Sequence, residues 1–378
     1  MNFELTQDQK MLADTVAAFA KQDSPVERFR RLRDDEVGWQ KATWKQMGEL
    51  GWLSVPFPES VGGFGGSFVE VAVILEKLGA TLVPEPYVPS VVLGGMAILE
   101  AGEAEQHERF LAPMIEGETS LALAYAEREG RHDVEQVATR AVRDGGGWKI
   151  TGEKVFVLNG HAADHLVVSA MTDDGVSLFV LDRDTPGMTV QPVKTQDGRR
   201  AAFLRFSDAT VGGDRLLGEA GAGGAVLDRV MDYGAAAACA EGLGVVDTLL
   251  AMTVEYLKTR EQFGVKIGVF QVLQHGAVDM FVEAQLCRSM SALASVAADF
   301  EDVDERRAAV SAAKTQLSVG GRFVSQQAIQ LHGGIGITDE HDVGLFFKRM
   351  VVLNALFGDE EHHVHRYARL PQFTAALD

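Results

Sequence analysis

Cysteine is nearly missing from this chain: two occur in 378 residues, Cys239 and Cys287, each in apolar, helix-forming sequence. A disulfide framework is thereby excluded, and buried thiols in a reducing, cytoplasmic compartment are the expectation. Basic residues are also scarce, 35 Lys and Arg against 54 Asp and Glu, leaving a formal net charge of −19. That field opposes nucleic acid or an anionic membrane as a partner. No apolar run approaches the roughly 20 residues that cross a bilayer. The start Met1-Asn2-Phe3-Glu4-Leu5-Thr6 is acidic and leads into a helix, so it does not read as a signal peptide. A strand–GxGxxG–helix unit is lacking, which argues against a nicotinamide-binding fold. His362, His363 and His365 beside Glu360 and Glu361 sit on polar helical sequence and read as a solvated face, so no metal is expected.

What is present has the length for two or three packed units. Residues 1–118 read as helices, with Thr6 as an N-cap and Leu12, Val16 and Phe19 at helical spacing. The stretch from Pro56 to Gly66 breaks that pattern and must be an irregular loop. From 119 to 225 the period shortens. Runs such as Ser120 to Ala126, Trp148 to Leu158, Val176 to Asp182 and Ala201 to Phe206 are rich in β-formers and are separated by Asp, Gly and Pro turns. Short strands without intervening helices predict a small antiparallel β-barrel or sandwich. Residues 226–378 are helical again, in long segments that predict an antiparallel four-helix bundle. The fold class is α+β.

Two pieces of the last stretch carry chemistry. One is Arg260-Glu261-Gln262-Phe263-Gly264 through Phe270-Gln271; the other is Gln330-Leu331-His332-Gly333-Gly334. An Arg fork suits a diphosphate, Gln amides supply neutral hydrogen bonds, and paired glycines let backbone N–H groups approach phosphate oxygens. Taken singly, each also reads as a solvated Arg at a helix end or a plain Gly turn. Their joint pattern resembles the acyl-CoA dehydrogenase family over essentially the whole chain. The resemblance implies an FAD whose ADP half is held by Arg260, Gln262, Phe263, Phe270, Gln271, Gln330, Leu331, Gly333 and Gly334, on behalf of a neighbouring subunit.

For the flavin ring the resemblance implies Phe156, Leu158 and Ala126, in Thr151-Gly152-Glu153-Lys154-Val155-Phe156-Val157-Leu158-Asn159-Gly160 and in Ala124-Tyr125-Ala126-Glu127. Leu158 and Ala126 stand where the family carries flavin-bonding threonines. His132 stands where a Ser lies near the CoA arm, and Asp232 matches an Asp that contacts pantetheine. The family's usual carboxylate base falls on Phe357, and a second known position falls on Gly234. Neither residue can accept a proton. Glu241 lies seven residues beyond Gly234, about 700° around the helix and so on the same face. It is therefore one candidate base, with a buried Glu–Arg pair as the alternative reading. Asp359 is a second candidate, with a helix cap as its alternative.

These departures resemble the pimeloyl-CoA dehydrogenase small-subunit type and the α2β2 dehydrogenases of steroid side chains. The implied function is FAD-dependent α,β-dehydrogenation of a bulky, dicarboxylic or steroid-derived acyl-CoA. The implied partners are a homologous subunit (or further copies in a homotetramer) and an electron-transfer flavoprotein. An acyl-CoA oxidase and a non-catalytic subunit that donates only the ADP-binding arm stay open.

Overall fold

The computed structural model describes residues 4–374. They form two compact units. One gathers the chain up to Arg31, Ser67–Val83 and everything from Ala235 onward; the other holds Leu32–Gly66 and Pro84–Gly234. The division falls inside a single helix, Gly223–Thr259.

The second unit is built on strands β1 (Leu121–Ala124), β2 (Arg140–Asp144), β3 (Gly147–Leu158), β4 (His165–Thr172), β5 (Gly175–Asp182), β6 (Met188–Lys194), β7 (Arg200–Gly212) and β8 (Leu216–Leu217). They pair in the order β6-β7-β3-β2-β4-β5-β8, with β1 alongside β4. The expected closed antiparallel barrel is not what forms: the sheet is mixed. Tight Gly turns do make antiparallel hairpins, as between β2 and β3. However, β1 and β2 each pair parallel to β4, with Leu121 opposite His165 and Arg140 opposite Met171. Parallel partners cannot be joined by a tight turn, and here β1 and β4 are separated in the chain by β2 and β3, and β2 and β4 by β3. Trp148, Ile150, Phe179, Leu204 and Phe206 fill the core under the sheet. The rings of Trp148 and Phe179 meet edge-to-face at 5.3 Å.

The other unit is helical. Thr6 caps the helix Gln7–Gln22 through a capping box with Gln9, as its sequence predicts. Gly223–Thr259 is, among the described residues, the one helix long and apolar enough to cross a membrane. Its apolar window is 72% buried in the protein, which is how a core helix looks. Small residues explain how. A Cβ on Gly79 would lie 2.4 Å from the Glu241 carbonyl oxygen, and one on Gly244 would lie 2.0 Å from that of Glu76. The helix Phe68–Gly79 therefore packs backbone to backbone against the long one. Gln271–Ala297 lies against Val303–Gln316 and Arg322–His332, which a π-turn at Leu317–Gly321 joins. Cys239 and Cys287 are free and buried, and burial pushes both thiols up to about 12.

Candidate functional site

The helix Gly223–Thr259 stops where Arg260 N–H donates to Tyr256 O at 2.9 Å. The chain then folds into a two-residue ladder, Glu261–Gln262 against Val265–Lys266. Phe263 and Gly264 form its turn with φ of 55° and 78°. This leaves Phe263 90% exposed, edge-on to Phe270 at 6.0 Å. The Arg260 guanidinium is exposed and has no partner among the described residues. The helix Arg322–His332 ends at Gly333, whose φ of 63° suits glycine. A Cβ on Gly333 or Gly334 would meet nothing within 4 Å. Gln271 and Gln330 are exposed, the Gln262 side chain donates to Glu261 O at 2.7 Å, and Leu331 is buried. The two ends meet through Tyr256 and His332, whose rings stack at 4.5 Å and 25°. An unpaired guanidinium, the free amides of Gln271 and Gln330 and an open glycine turn fit a diphosphate group such as that of FAD.

The residues assigned to the ring sit in the sheet unit. A bulge in β3 between Lys154 and Val157 turns Phe156 outward, with φ of 49° and 60% exposure. Its ring meets Phe203 edge-on at 5.2 Å. Val155 N–H donates to Ala126 O at 2.9 Å and so brings the Ala126 segment beside β3. Leu158 and Ala126 are half-buried and neither offers a hydroxyl. His132 is half-buried and Asp232 is fully buried; both have partners within the chain.

Beneath these residues lies a polar cluster that sequence reasoning passed over. Lys154 is completely buried, and Nζ donates to Glu127 Oε1 at 2.6 Å, Ser169 Oγ at 2.8 Å and Tyr125 O at 3.3 Å. Burial lowers the ammonium to about 8. The Glu127 carboxylate also accepts from Ala138 N–H at 2.6 Å and Thr139 N–H at 3.1 Å. Burial works against its charge, but Lys154 and these donors outweigh burial and hold the carboxyl below its usual range. A signal was there: Lys154 continues the inward parity of Trp148 and Ile150, and a Lys on that face needs a buried partner.

Of the two candidate bases, Glu241 is buried and bonded bidentately to Arg349, Nε to Oε1 at 2.8 Å and Nη2 to Oε2 at 2.7 Å. Asp359 Oδ1 accepts from His362 N–H at 2.9 Å as the N-cap of Glu360–Ala368. Phe357 and Gly358 lie between, with φ of 58° and 105°. Lys314, completely buried, donates to Asn354 O at 3.0 Å and Gly358 O at 2.8 Å. His363 Nε2 donates to Phe357 O at 2.9 Å. His363 is therefore not part of a solvated face: it is 1% exposed and its Nδ1 has no partner.

The helical–β–helical order of the chain places it in a class, the three-domain flavoproteins. Family models agree. The acyl-CoA dehydrogenase N-terminal, middle and C-terminal domains match residues 6–118, 122–209 and 221–370. The chain belongs to the acyl-CoA dehydrogenase family, and with it to the FAD-dependent oxidoreductases. It is 31% identical to a probable acyl-CoA dehydrogenase, YngJ, of Bacillus subtilis (strain 168), over 91% of this chain and 92% of that one. Among solved structures it is similar to a variant of the Tcur3481-Tcur3483 steroid ACAD, with 30% identity, a TM-score of 0.88 and coverage of 98% and 99%. It is also similar to the ChsE4-ChsE5 complex from Mycobacterium tuberculosis, with 27% identity, a TM-score of 0.89 and 98% of both chains.

Proposed function

We propose that this chain is one subunit of a heteromeric FAD-dependent acyl-CoA dehydrogenase, that it contributes the ADP-binding arm, and that a homologous partner chain contributes the base. The observation that carries this reading is an asymmetry. The Arg260 guanidinium is unpaired and the Gly333-Gly334 turn is open, their helix ends joined by the Tyr256–His332 stack, whereas the carboxylate of Glu241 is engaged by Arg349 through both oxygens. The first arrangement is ready for a ligand. The second holds a carboxylate whose lone pairs and charge are already committed, which makes it a poor proton acceptor.

An apolar face supports the partner. On the helix Gln271–Ala297, Val272, Val278, Phe281, Val282 and Leu286 are each 46% to 74% exposed, and they continue the arm that carries Phe263. A chain that left this stripe in water would be prone to associate, and a homologous subunit is its natural cover. Among the bulky, dicarboxylic and steroid-derived acyl groups that the sequence leaves open, the similar steroid ACAD supports a steroid-like one, and the similar ChsE4-ChsE5 complex supports a partner chain. An electron-transfer flavoprotein is the expected electron acceptor. When bound, FAD supplies the hydride acceptor. This chain's residues would then hold the diphosphate through Arg260 and the Gly334 N–H, the Gly333 N–H being donated to Gln330 O, and would present Phe156, Ala126 and Leu158 as apolar surface.

Flavin content separates the alternatives. The chain purified alone is expected to hold little FAD, and co-expression with a homologous dehydrogenase chain is expected to restore it together with acyl-CoA turnover. Stoichiometric FAD and turnover in the chain alone would instead mean a self-sufficient homo-oligomer. Reoxidation of the reduced complex by O₂ would mean an oxidase.

A further inference from the structure

The two halves of the ADP arm lie far apart in sequence, and nothing in either half fixes the distance between them. Gly333 N–H donates to Gln330 O and so belongs to its own helix end, a Cβ on Gly333 or Gly334 would meet nothing within 4 Å, and the Arg260 side chain is free. A diphosphate bridging the two halves binds without having to order them only if that span is already set. The rings just inside each half do touch. Tyr256 lies one helical turn before Arg260 and is bonded to it through Arg260 N–H. His332 directly precedes Gly333 and is 2% exposed. Their rings stack at 4.5 Å and 25°, and His341 closes over His332 at 4.6 Å and over Tyr256 at 6.3 Å.

Both ends of this ring cluster are tied down. His332 Nδ1–H donates to Ala328 O at 2.7 Å, which fixes the ring on its own helix. His341 Nδ1 accepts from Val343 N–H at 3.2 Å. Next to it Arg30 bonds the Asp339 carbonyl oxygen and the Asp342 carboxylate, the latter at 2.5 Å. The segment from Gly333 to Asp342 is therefore pinned at its start by the His332 ring and at its end by His341 and Arg30. Only its glycine apex stands in open space.

We infer that Tyr256 and His332, locked by His341, are positioning residues that set the spacing between Arg260 and the Gly333-Gly334 turn for the diphosphate of FAD. This rests on the reading of that arm given above. Neither ring needs to touch the cofactor. Their task is to make two separately folded helix ends into one rigid clamp before the ligand arrives, so that binding does not have to order them.

The test is FAD affinity of the flavin-bearing assembly, measured by flavin fluorescence during reconstitution. Tyr256→Leu is expected to weaken FAD binding about tenfold with the helical circular dichroism retained, and Tyr256→Phe, which keeps the ring, to stay within about twofold. Arg260→Ala is the control for the arm itself. If Arg260→Ala loses FAD while Tyr256→Leu keeps it, the clamp role is overturned and the arm survives. If Arg260→Ala also keeps FAD, the reading of the arm fails and the inference falls with it. Should Tyr256→Leu not fold, His341→Leu on the outer side of the stack carries the same test, with about threefold weaker binding expected and unchanged affinity overturning the inference.

Discussion

Arg349 grips Glu241 through two parallel bonds of 2.8 and 2.7 Å, between residues 108 apart in sequence and both nearly excluded from water. A pair like this is better explained as an anchor between the long helix and Val343–Ala355 than as half of a proton-transfer site.

Glu241→Gln would leave the Arg349 charge buried without its counterion, so a loss of about 3–5 kcal/mol of stability is expected. Pairing it with Arg349→Met should recover much of that loss. Denaturant midpoints of the single and double variants check this. Turnover of the assembly containing the double variant should stay near the parent level; a collapse of turnover in that folded variant would restore Glu241 as the base.

Gly334→Ala makes a sharp probe of the arm. A Cβ there meets nothing within 4 Å and its φ is not left-handed, so stability should change by less than about 0.5 kcal/mol. A diphosphate lying against the turn would feel the added methyl, and FAD affinity should fall about tenfold. Equal affinity in both proteins would mean the turn does not face the cofactor.

Lys154 closes the base of the 128–137 segment through Glu127, which bonds Ala138 N–H and Thr139 N–H. With Lys154→Met the Glu127 charge loses its counterion, and the segment should open locally. Arg128 and Arg131 are exposed there, so tryptic cleavage at these two sites should speed up about tenfold relative to sites elsewhere. Lys154→Met/Glu127→Gln, without either charge, guards against global unfolding. Parent-like protection of Arg128 and Arg131 in both variants would show that the pair does not hold the segment.

His363 gives a pH signature. Burial, then the Lys314 charge, lowers its imidazole from 6.5 to about 2. Between those values the unfolded chain binds a proton that the folded chain refuses. Its contribution is therefore complete above 6.5 and is lost as pH falls through that window. In His363→Gln, which keeps a donor for Phe357 O, the loss of stability on acidification should be shallower by about 1.4 kcal/mol per pH unit. Unfolding free energies at several pH values between about 6 and 4.5 decide it, and identical slopes would mean that His363 is protonated in the folded state.

Much of this molecule was legible in local pattern. Helical spacing, the Thr6 cap, the β-rich middle stretch and the Arg260 and Gly333-Gly334 pieces follow from interactions within a few residues, which a linear reading can see. The mixed sheet did not follow, because the parallel pairing of β1 with β4 depends on where a long connection carries the chain. Nor did the partners of buried charges. Glu241 left a base and a buried pair equally open until Arg349 arrived from another helix, and Lys154 met Glu127 across a strand boundary. Charge partners and ring stacks such as Tyr256 on His332 are chosen by packing over long sequence separations. Residue type alone says only that a buried carboxylate or ammonium must be paired; the folded chain names the partner.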